Sequence, residues 1–531
     1  VKKARSRYEQ LSSSRYEFLD VAVECSRLTL PYLIRQDETP ETHKNLHTPW
    51  QSVGAKAVVT LASKLMLALL PPQTSFFKLQ IRDDKLGVDL PVEARSELDL
   101  SFSKMERMVM DYVNSSNDRV VVHQAIKHLI VGGNALIYMG KDGLKNYPLN
   151  RFVVNRDGNG NVTEIVTKEL IAREELGFEI NEPKPNAPGD DGIKQGSQKD
   201  DVEVYTYVRL DSSSGRWVWH QEAFDQILPN SRSTAPKNAS PWLVLRFNTV
   251  DGEDYGRGRV EEFLGDLRSL EGLSQALVEG SSAAAKVVFL VSPSSTTKPQ
   301  ALAQAGNGAI VQGRPDDVAV VQVGKTADFS TASQMAASIG QRISDAFLVL
   351  NIRQSERTTA EEVRLTQLEL EQQLGGLFSL LTSEFLIPYL NRTLLVLQRS
   401  NQLPKLPKDL VRPEIVAGVN ALGRGQDRES LTTFVTIIAQ TMGPQALMQY
   451  IDPSEYIKRL AAAQGIDVLN LVKTAQQLQE EMAQQQQAAM QQSLVNQAGQ
   501  LASAPAMDPS KNPELNGNNT QNPEEAGVPA G

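Results

Sequence analysis

The segment AVVQVGKT, Ala319 to Thr326, ends in the Gly-Lys-Thr of a phosphate-binding loop. Ala319, however, stands where the first glycine of such a loop belongs, and the residues between are strand formers that make no flexible cradle. It reads as a strand end with a surface lysine. HKNLH, His43 to His47, has the two-histidine spacing of a zinc helix, but Lys44 replaces the glutamate and Pro40, Thr48 and Pro49 crowd it; a solvated pair results. DGNGN, Asp157 to Asn161, has the opening of a calcium loop, yet its twelfth position is Lys168 where a bidentate glutamate is needed. GRGRVE, Gly256 to Glu261, lacks the third glycine of a dinucleotide fingerprint, and GLSQA, Gly272 to Ala276, lacks the second glycine of a hydrolase elbow. With five histidines and one cysteine in the whole chain, no catalytic set assembles. The expectation is a protein that is not an enzyme and needs neither metal nor cofactor.

One stretch has a different character. RQSERTTAEEVRLTQLELEQQLGG, Arg353 to Gly376, runs a polar stub with two arginines straight into a strong helix start. Thr359 and Glu362 form a capping box, which places that start near Ala360. Val363, Leu370, Leu374, Leu377, Phe378, Leu381 and Phe385 share one stripe, while Leu365, Leu368 and Leu386 lie on another face, so the helix is contacted from two sides. With Pro388 tolerated or adding a kink, the pattern runs to Arg399, roughly 40 residues or about 60 Å. Gly375 and Gly376 sit inside it, each costing about 1 kcal/mol against alanine. A bend or hinge at the pair is the expected reason.

The elements that hold this stretch follow from periodicity. Helical pattern runs from Arg5 to Leu70, with HTPWQSVG as a helix-start turn and GAKAVVTLASKLMLALLPP as a buried helix stopped by Pro71 and Pro72. That segment carries Lys56 and Lys64 and falls short of a membrane span. A helix over Val92 to Asn114 puts Leu98, Phe102, Met105, Met108, Val109 and Tyr112 on a broad face, and another starts near Val120 and leads into a strand after Gly133. Arg151 to Lys168 reads as a hairpin, Glu182 to Asp201 as a mobile loop, and VEVYTYVRL, RWVWHQEAF and PWLVLRFNTV as strands. Arg259 to Ala285 and Ala327 to Val349 are helices rich in small residues, which permit close packing within one chain or between copies. Between them three short strands are expected, at Lys286 to Val291, Gly308 to Gly313 and Val318 to Val323. Leu403 to Glu414 is a proline-rich link, further helices follow from Gly423, and the tail after Ala504 has a disordered composition.

At 531 residues the chain exceeds one core. Its single cysteine, Cys25, excludes an internal disulfide and fits a reducing compartment as a small buried hydrophobe. The start VKKARSRYEQ carries no apolar run of a signal peptide. A net charge of −9 argues against a protein that grips DNA over its whole surface, so any contact with nucleic acid must be local, weak or transient.

TPWQSVGAKAVVTLASKLMLALLPPQTSFFKL (Thr48 to Leu79), DGEDYGRGRVEEFLGDLRSLEGL (Asp251 to Leu273), RTTAEEVRLTQLELEQQLGG (Arg357 to Gly376) and VNALGRGQD (Val419 to Asp427) together resemble the head-to-tail connector, or portal, family of short-tailed, podovirus-type bacteriophages. The resemblance runs in order from about Tyr8 to about Ile466 and is weakest in the 182–201 loop and past Ala475.

It implies an α+β, mainly helical portal fold, assembled as a dodecameric ring at one capsid vertex of the virion, through which double-stranded DNA is packaged and ejected. On this chain it implies a wing over 1–250, a first stem helix within 251–285 and a clip over 286–326. A second stem helix over 327–349, a tunnel loop over 350–358 and a long kinked wing helix over 359–400 follow. A linker over 401–422, a helical crown over 423–503 and a disordered tail over 504–531 complete the chain. Arg353, Gln354, Ser355, Glu356 and Arg357 would then line the channel. Spacing leaves open whether either arginine faces the lumen or pairs with Glu356 or a neighbouring subunit. Lys286, Lys298 and Lys325 are the basic candidates of clip and stem for DNA or partner contacts, with a solvated surface role as the alternative. The implied partners are the terminase motor, a tail adaptor and the major capsid and scaffold proteins, with assembly in the host cytoplasm and no membrane. An internal scaffold or core protein of the virion is the competing reading, prompted by the Gln-rich C-terminal helix and opposed by the β segments between Arg151 and Val323.

Overall fold

The N-terminal helix α1 (Ala4–Leu28) buries Tyr8, Leu11, Arg15, Leu19 and Ala22 at steps of three or four, one stripe of a 3.6-residue period. The computed structural model describes residues 3–36, 46–71, 75–81, 92–176, 201–284, 288–306, 310–321, 326–349, 375–404, 411–415 and 432–441, and single residues 443 and 456. The loop expected before Asp201, the segment 350–374 with the capping box, and all expected crown helices but 432–441 lie outside these. The chain divides into two units, Val1–Leu422 and Gly423–Gly531.

Helix α2 (Val53–Leu69) buries Ala57, Val58, Leu61, Ala62, Leu65 and Leu69 and stops before Pro71, as its sequence predicts. The side chain of Gln51 accepts from the Gly54 N–H at 2.8 Å and donates to the Leu28 carbonyl at 2.7 Å, joining the start of α2 to the end of α1. Strand β1 (Phe77–Ile81) comes next, then α3 (Val92–Ser115). The buried side of α3 is narrower than expected: Phe102, Met105, Val109 and Val113 are inside, whereas Met108 and Tyr112 are exposed, because the helix meets the core along only one side.

Helix α4 (Asp118–Gly132) ends on Gly133 in the left-handed region at φ 71°, and the chain turns at once into β2 (Asn134–Met139). β3 (Leu144–Tyr147), β4 (Phe152–Arg156) and β5 (Val162–Ala172) follow. β6 (Asp201–Asp211), β7 (Arg216–Ala223), β8 (Gln226–Ile227), β9 (Ser233–Pro236) and β10 (Trp242–Arg246) complete the strand-rich part. One sheet has the order β4-β5-β6-β7-β8 with β9 also on β7; another has the order β10-β2-β3. Asp157 in the turn between β4 and β5 accepts from the backbone of Asn159 and Asn161, so the calcium-like DGNGN serves as hairpin chemistry. The start of α1 lies on the larger sheet, where Ala4, Tyr8 and Leu11 cluster with Val153, Val166, Tyr205 and Tyr207. Arg15, buried beside them, donates to the carbonyls of Leu149, Asn150 and Phe152.

GRG at Gly256 to Gly258, which fails as a nucleotide fingerprint, is a backbone crossing. A Cβ on Gly133 would lie 2.4 Å from the Gly256 carbonyl oxygen, and one on Gly258 would lie 2.6 Å from that of Val131. Asn134 locks the contact, donating to the Gly256 carbonyl at 2.7 Å and accepting from its N–H at 2.8 Å.

Beyond it α5 (Arg259–Glu262) and α6 (Leu264–Ala284) replace the single helix expected from Arg259, with a tightened turn at Phe263, whose ring meets Phe347. β11 (Val288–Val291), α7 (Pro299–Gln304) and β12 (Val318–Val321) lead to α8 (Thr326–Ala346). The strand expected at Gly308 to Gly313 does not form in its described part, 310–313. Ile310 is fully exposed and has no partner strand, since β11 and β12 pair directly with each other.

The described part of the long helix comprises α9 (375–381), a π-helical turn (Thr382–Leu386) and α10 (Ile387–Arg399). The proline-rich link after it contains a strand, β13 (Val411–Ile415), which pairs antiparallel with β1. Pro413 is tolerated there because every strand of a two-stranded sheet is an edge.

Candidate functional site

Of the residues singled out by sequence, Arg353, Gln354, Ser355, Glu356 and Arg357, and likewise Lys286 and Lys325, lie outside the described residues. Lys298 is exposed at the N-cap of α7. Gly375 and Gly376 are both α-helical, and a Cβ on either would meet nothing within 4 Å. Among the described residues no close approach therefore requires the pair.

Helices α6 and α8 run antiparallel: Phe263 faces Phe347, Asp266 accepts from Arg342 at 2.7 Å, and Gly280 faces Phe329. Only the root of the pair is anchored in the main core, through Leu267, Leu270, Ile339, Ile343 and Phe347. From the Asp266 contact to the Gly280 contact the pair runs on for about 21 Å, and none of residues 271–283 or 329–338 is buried. Val278 and Met335 are more than half exposed on this pair, as is Leu290 on β11 beyond it. A Cβ on Gly280 would come within 2.5 Å of the Phe329 ring, so the glycine lets the helices close on each other.

The two-stranded module beyond the pair is tied by Asp317, whose carboxylate accepts from the N–H and hydroxyl of Thr296 at 3.3 Å and from the hydroxyl of Thr297 at 3.4 Å. These bonds, with serine and threonine donors, hold the Asp317 carboxyl below its ordinary range, although desolvation works against them.

A third arrangement was not expected. Glu384, inside the π turn, accepts from the backbone N–H of Arg246 at 2.9 Å, from its Nε at 3.0 Å and its Nη2 at 2.7 Å, and from Arg156 Nη1 at 3.4 Å. Arg156 also donates to the carbonyls of Asp254 and Gly160. Burial pulls its guanidinium down to about 10; Glu384 opposes that shift and Arg246 adds to it. It stays charged at neutral pH. Two sequence signals mark the place: a lone carboxylate in the apolar run LLTSEFLIPYL, and Pro388. A proline cannot donate to the carbonyl four residues back and clashes with it; that carbonyl is Glu384's, inside the widened turn.

Among the described residues no group of His, Cys, Asp and Glu could hold a metal ion, and no described helix is long and apolar enough to cross a membrane. Cys25 is buried, which, with the charges of Glu261 and Glu24, pushes its thiol up to about 12.

The chain was compared with known proteins. A family model described as "Bacteriophage head to tail connecting protein" matches residues 1–472. The portal protein of Escherichia phage T7 is 38% identical over 520 residues, spanning 96% of this chain and 95% of the relative. That of Enterobacteria phage T3 is 38% identical over 490 residues, spanning 91% and 90%. That of Enterobacteria phage SP6 is 30% identical over 501 residues, spanning 92% and 93%. The family model and the relatives match along nearly the whole length: the chain belongs to the bacteriophage head-to-tail connecting family, the portal proteins.

Proposed function

We propose that copies of this chain, twelve by analogy with the family, close into a ring at one vertex of the capsid. Viral DNA is drawn in through this ring by the terminase motor and later leaves through it, and the tail attaches to it. The observation that carries this reading is the α6–α8 pair. Outside its root none of the described residues 271–283 and 329–338 is buried within one chain, yet Val278 and Met335 are exposed among small side chains. Helix pairs arranged side by side in a ring cover both flanks of each other and leave no open edge.

In this reading 1–250 form the wing and 286–326 the clip, which faces the motor and then the tail adaptor. The crown over 423–503 faces the capsid interior, with the major capsid and scaffold proteins around the ring. Arg353, Gln354, Ser355, Glu356 and Arg357 form the tunnel loop, so that each arginine is repeated around the channel, and Gly375 with Gly376 lets the helix behind it bend. Lys286, Lys298 and Lys325 are the clip and stem candidates for contacts with DNA or partners. The acidic remainder of the protein keeps the duplex from sticking, as a conduit needs binding weak enough to slide past.

Native mass spectrometry and class-averaged electron micrographs of the purified chain test this. Closed rings with a central hole are expected. A monomer, or an elongated dimer without a hole, would overturn the ring, stem and clip assignments together and leave the internal scaffold reading.

A further inference from the structure

The π turn (Thr382–Leu386) is held unevenly on its two sides. Toward the C-terminus, Glu384 ties it to the last residue of β4, Arg156, and the last residue of β10, Arg246, which belong to different sheets. Five residues on, the Tyr389 hydroxyl donates to Asp118 Oδ2 at 2.6 Å, pinning α10 to the first residue of α4. Phe385, Leu386, Tyr389 and Leu390 are all buried to within 1%. Toward the N-terminus, α9 buries only Leu377 and Leu381; Gly376 and Ser379 are exposed.

A π turn carries one residue more than the α-helix around it, and such turns occur mostly as single bulges at functional sites. If the extra residue slides along a helix, the residues it passes turn by about 100° about the axis and shift by about 1.5 Å. Sliding toward the C-terminus is blocked, because the hydrogen bonds of Glu384 and Tyr389 fix that side. Sliding toward Gly376 meets two glycines at which an added Cβ would touch none of the described residues within 4 Å.

We infer that the Glu384 carboxylate, gripped by Arg156 and Arg246, is a register latch: it holds the π turn at 382–386, and its release lets the turn move toward Gly376, rotating α9 against the rest of the protein. The latch couples the junction of the two sheets to the rotational setting of one helix. This inference concerns a single chain and stands whether or not the ring forms.

The test uses the full chain, whose one native cysteine is buried. Leu377→Cys and Ser379→Cys are each introduced with Glu384 intact and with Glu384→Gln, and labelled with a maleimide under native conditions. With the latch closed, the cysteine at 377 labels slowly and that at 379 fast. In E384Q the order is expected to invert, with 377 rising and 379 falling by about tenfold or more, as a rotation demands. Unchanged rates overturn the inference. So does fast labelling at both positions, which means that the helix melts rather than turns. If E384Q does not fold, Arg246→Lys serves in its place, keeping the charge but losing the paired Nε and Nη2 donors. The same two outcomes then decide.

Discussion

Single glycines separate into those that a side chain would wreck and those it would only crowd. Gly258 faces rigid backbone, the carbonyls of Val131 and Ile130, within 2.9 Å of where a Cβ would sit. Gly280 faces the edge of a phenylalanine ring that can turn aside. Gly258→Ala is therefore expected to destabilise the chain by about 2–3 kcal/mol and Gly280→Ala by about 1 kcal/mol or less, a difference readable in urea unfolding of the two variants. Burial also decides the behaviour of His128. It is buried, and desolvation first, then the charge of Lys127, lower its pKa from 6.5 to about 4. The folded state thus holds the neutral ring while the unfolded chain takes a proton. Stability is intact above about pH 6.5, falls as the pH drops below that, and has lost its full share below about pH 4, roughly 3 kcal/mol. His128→Leu should flatten this acid-side fall between about pH 7 and about pH 5; unchanged curvature of unfolding free energy against pH would refute it.

At the scale of elements, local patterning was legible and long-range pairing was not. The turn into α2, the change from helix to strand at Gly133 and the β4–β5 hairpin follow from turn residues, apolar patterning and alternation within a few residues. The β1–β13 pair joins Phe77 to Ile415, and nothing in either five-residue run points to the other. Pro413 even argues for a linker. Gly308 to Gly313 misled in the opposite way, since β propensity without a partner strand leaves Ile310 in water. The site divides similarly. Its family-level motifs stand in the sequence, whereas the Glu384 grip depends on Arg156 and Arg246 arriving from two sheets far away in the chain. Pro388 hinted at a disturbed turn there, C-terminal to the glycine pair at which the hinge was expected. The small-residue character of α6 and α8 was visible, but not that their distal halves find no cover within one chain. If neighbours supply that cover, replacing Val278 and Met335 together with Glu should leave the fold of the monomer unchanged by circular dichroism. It should also shift the particle population from rings to smaller species in native mass spectrometry.

For the whole molecule, charge sets the terms. In the proposed channel, a chain of net −9 must confine its attraction for DNA to a few repeated positions. Rings in which Arg353 and Arg357 are both replaced by Ala are expected to keep their mass and symmetry. They should bind double-stranded DNA more weakly, with a shallower dependence of affinity on salt, because fewer counterions are released per complex. An unaltered salt slope would place the contact elsewhere. The antiparallel course of α6 and α8 has one more consequence. The chain leaves along one helix and returns along the other, and Val288 pairs with Val321, so the excursion between them begins and ends at one spot. Everything inside that excursion can be exchanged as a cassette. If the proposed ring forms, a lineage of such proteins is therefore free to trade this excursion while the rest of the assembly stays the same.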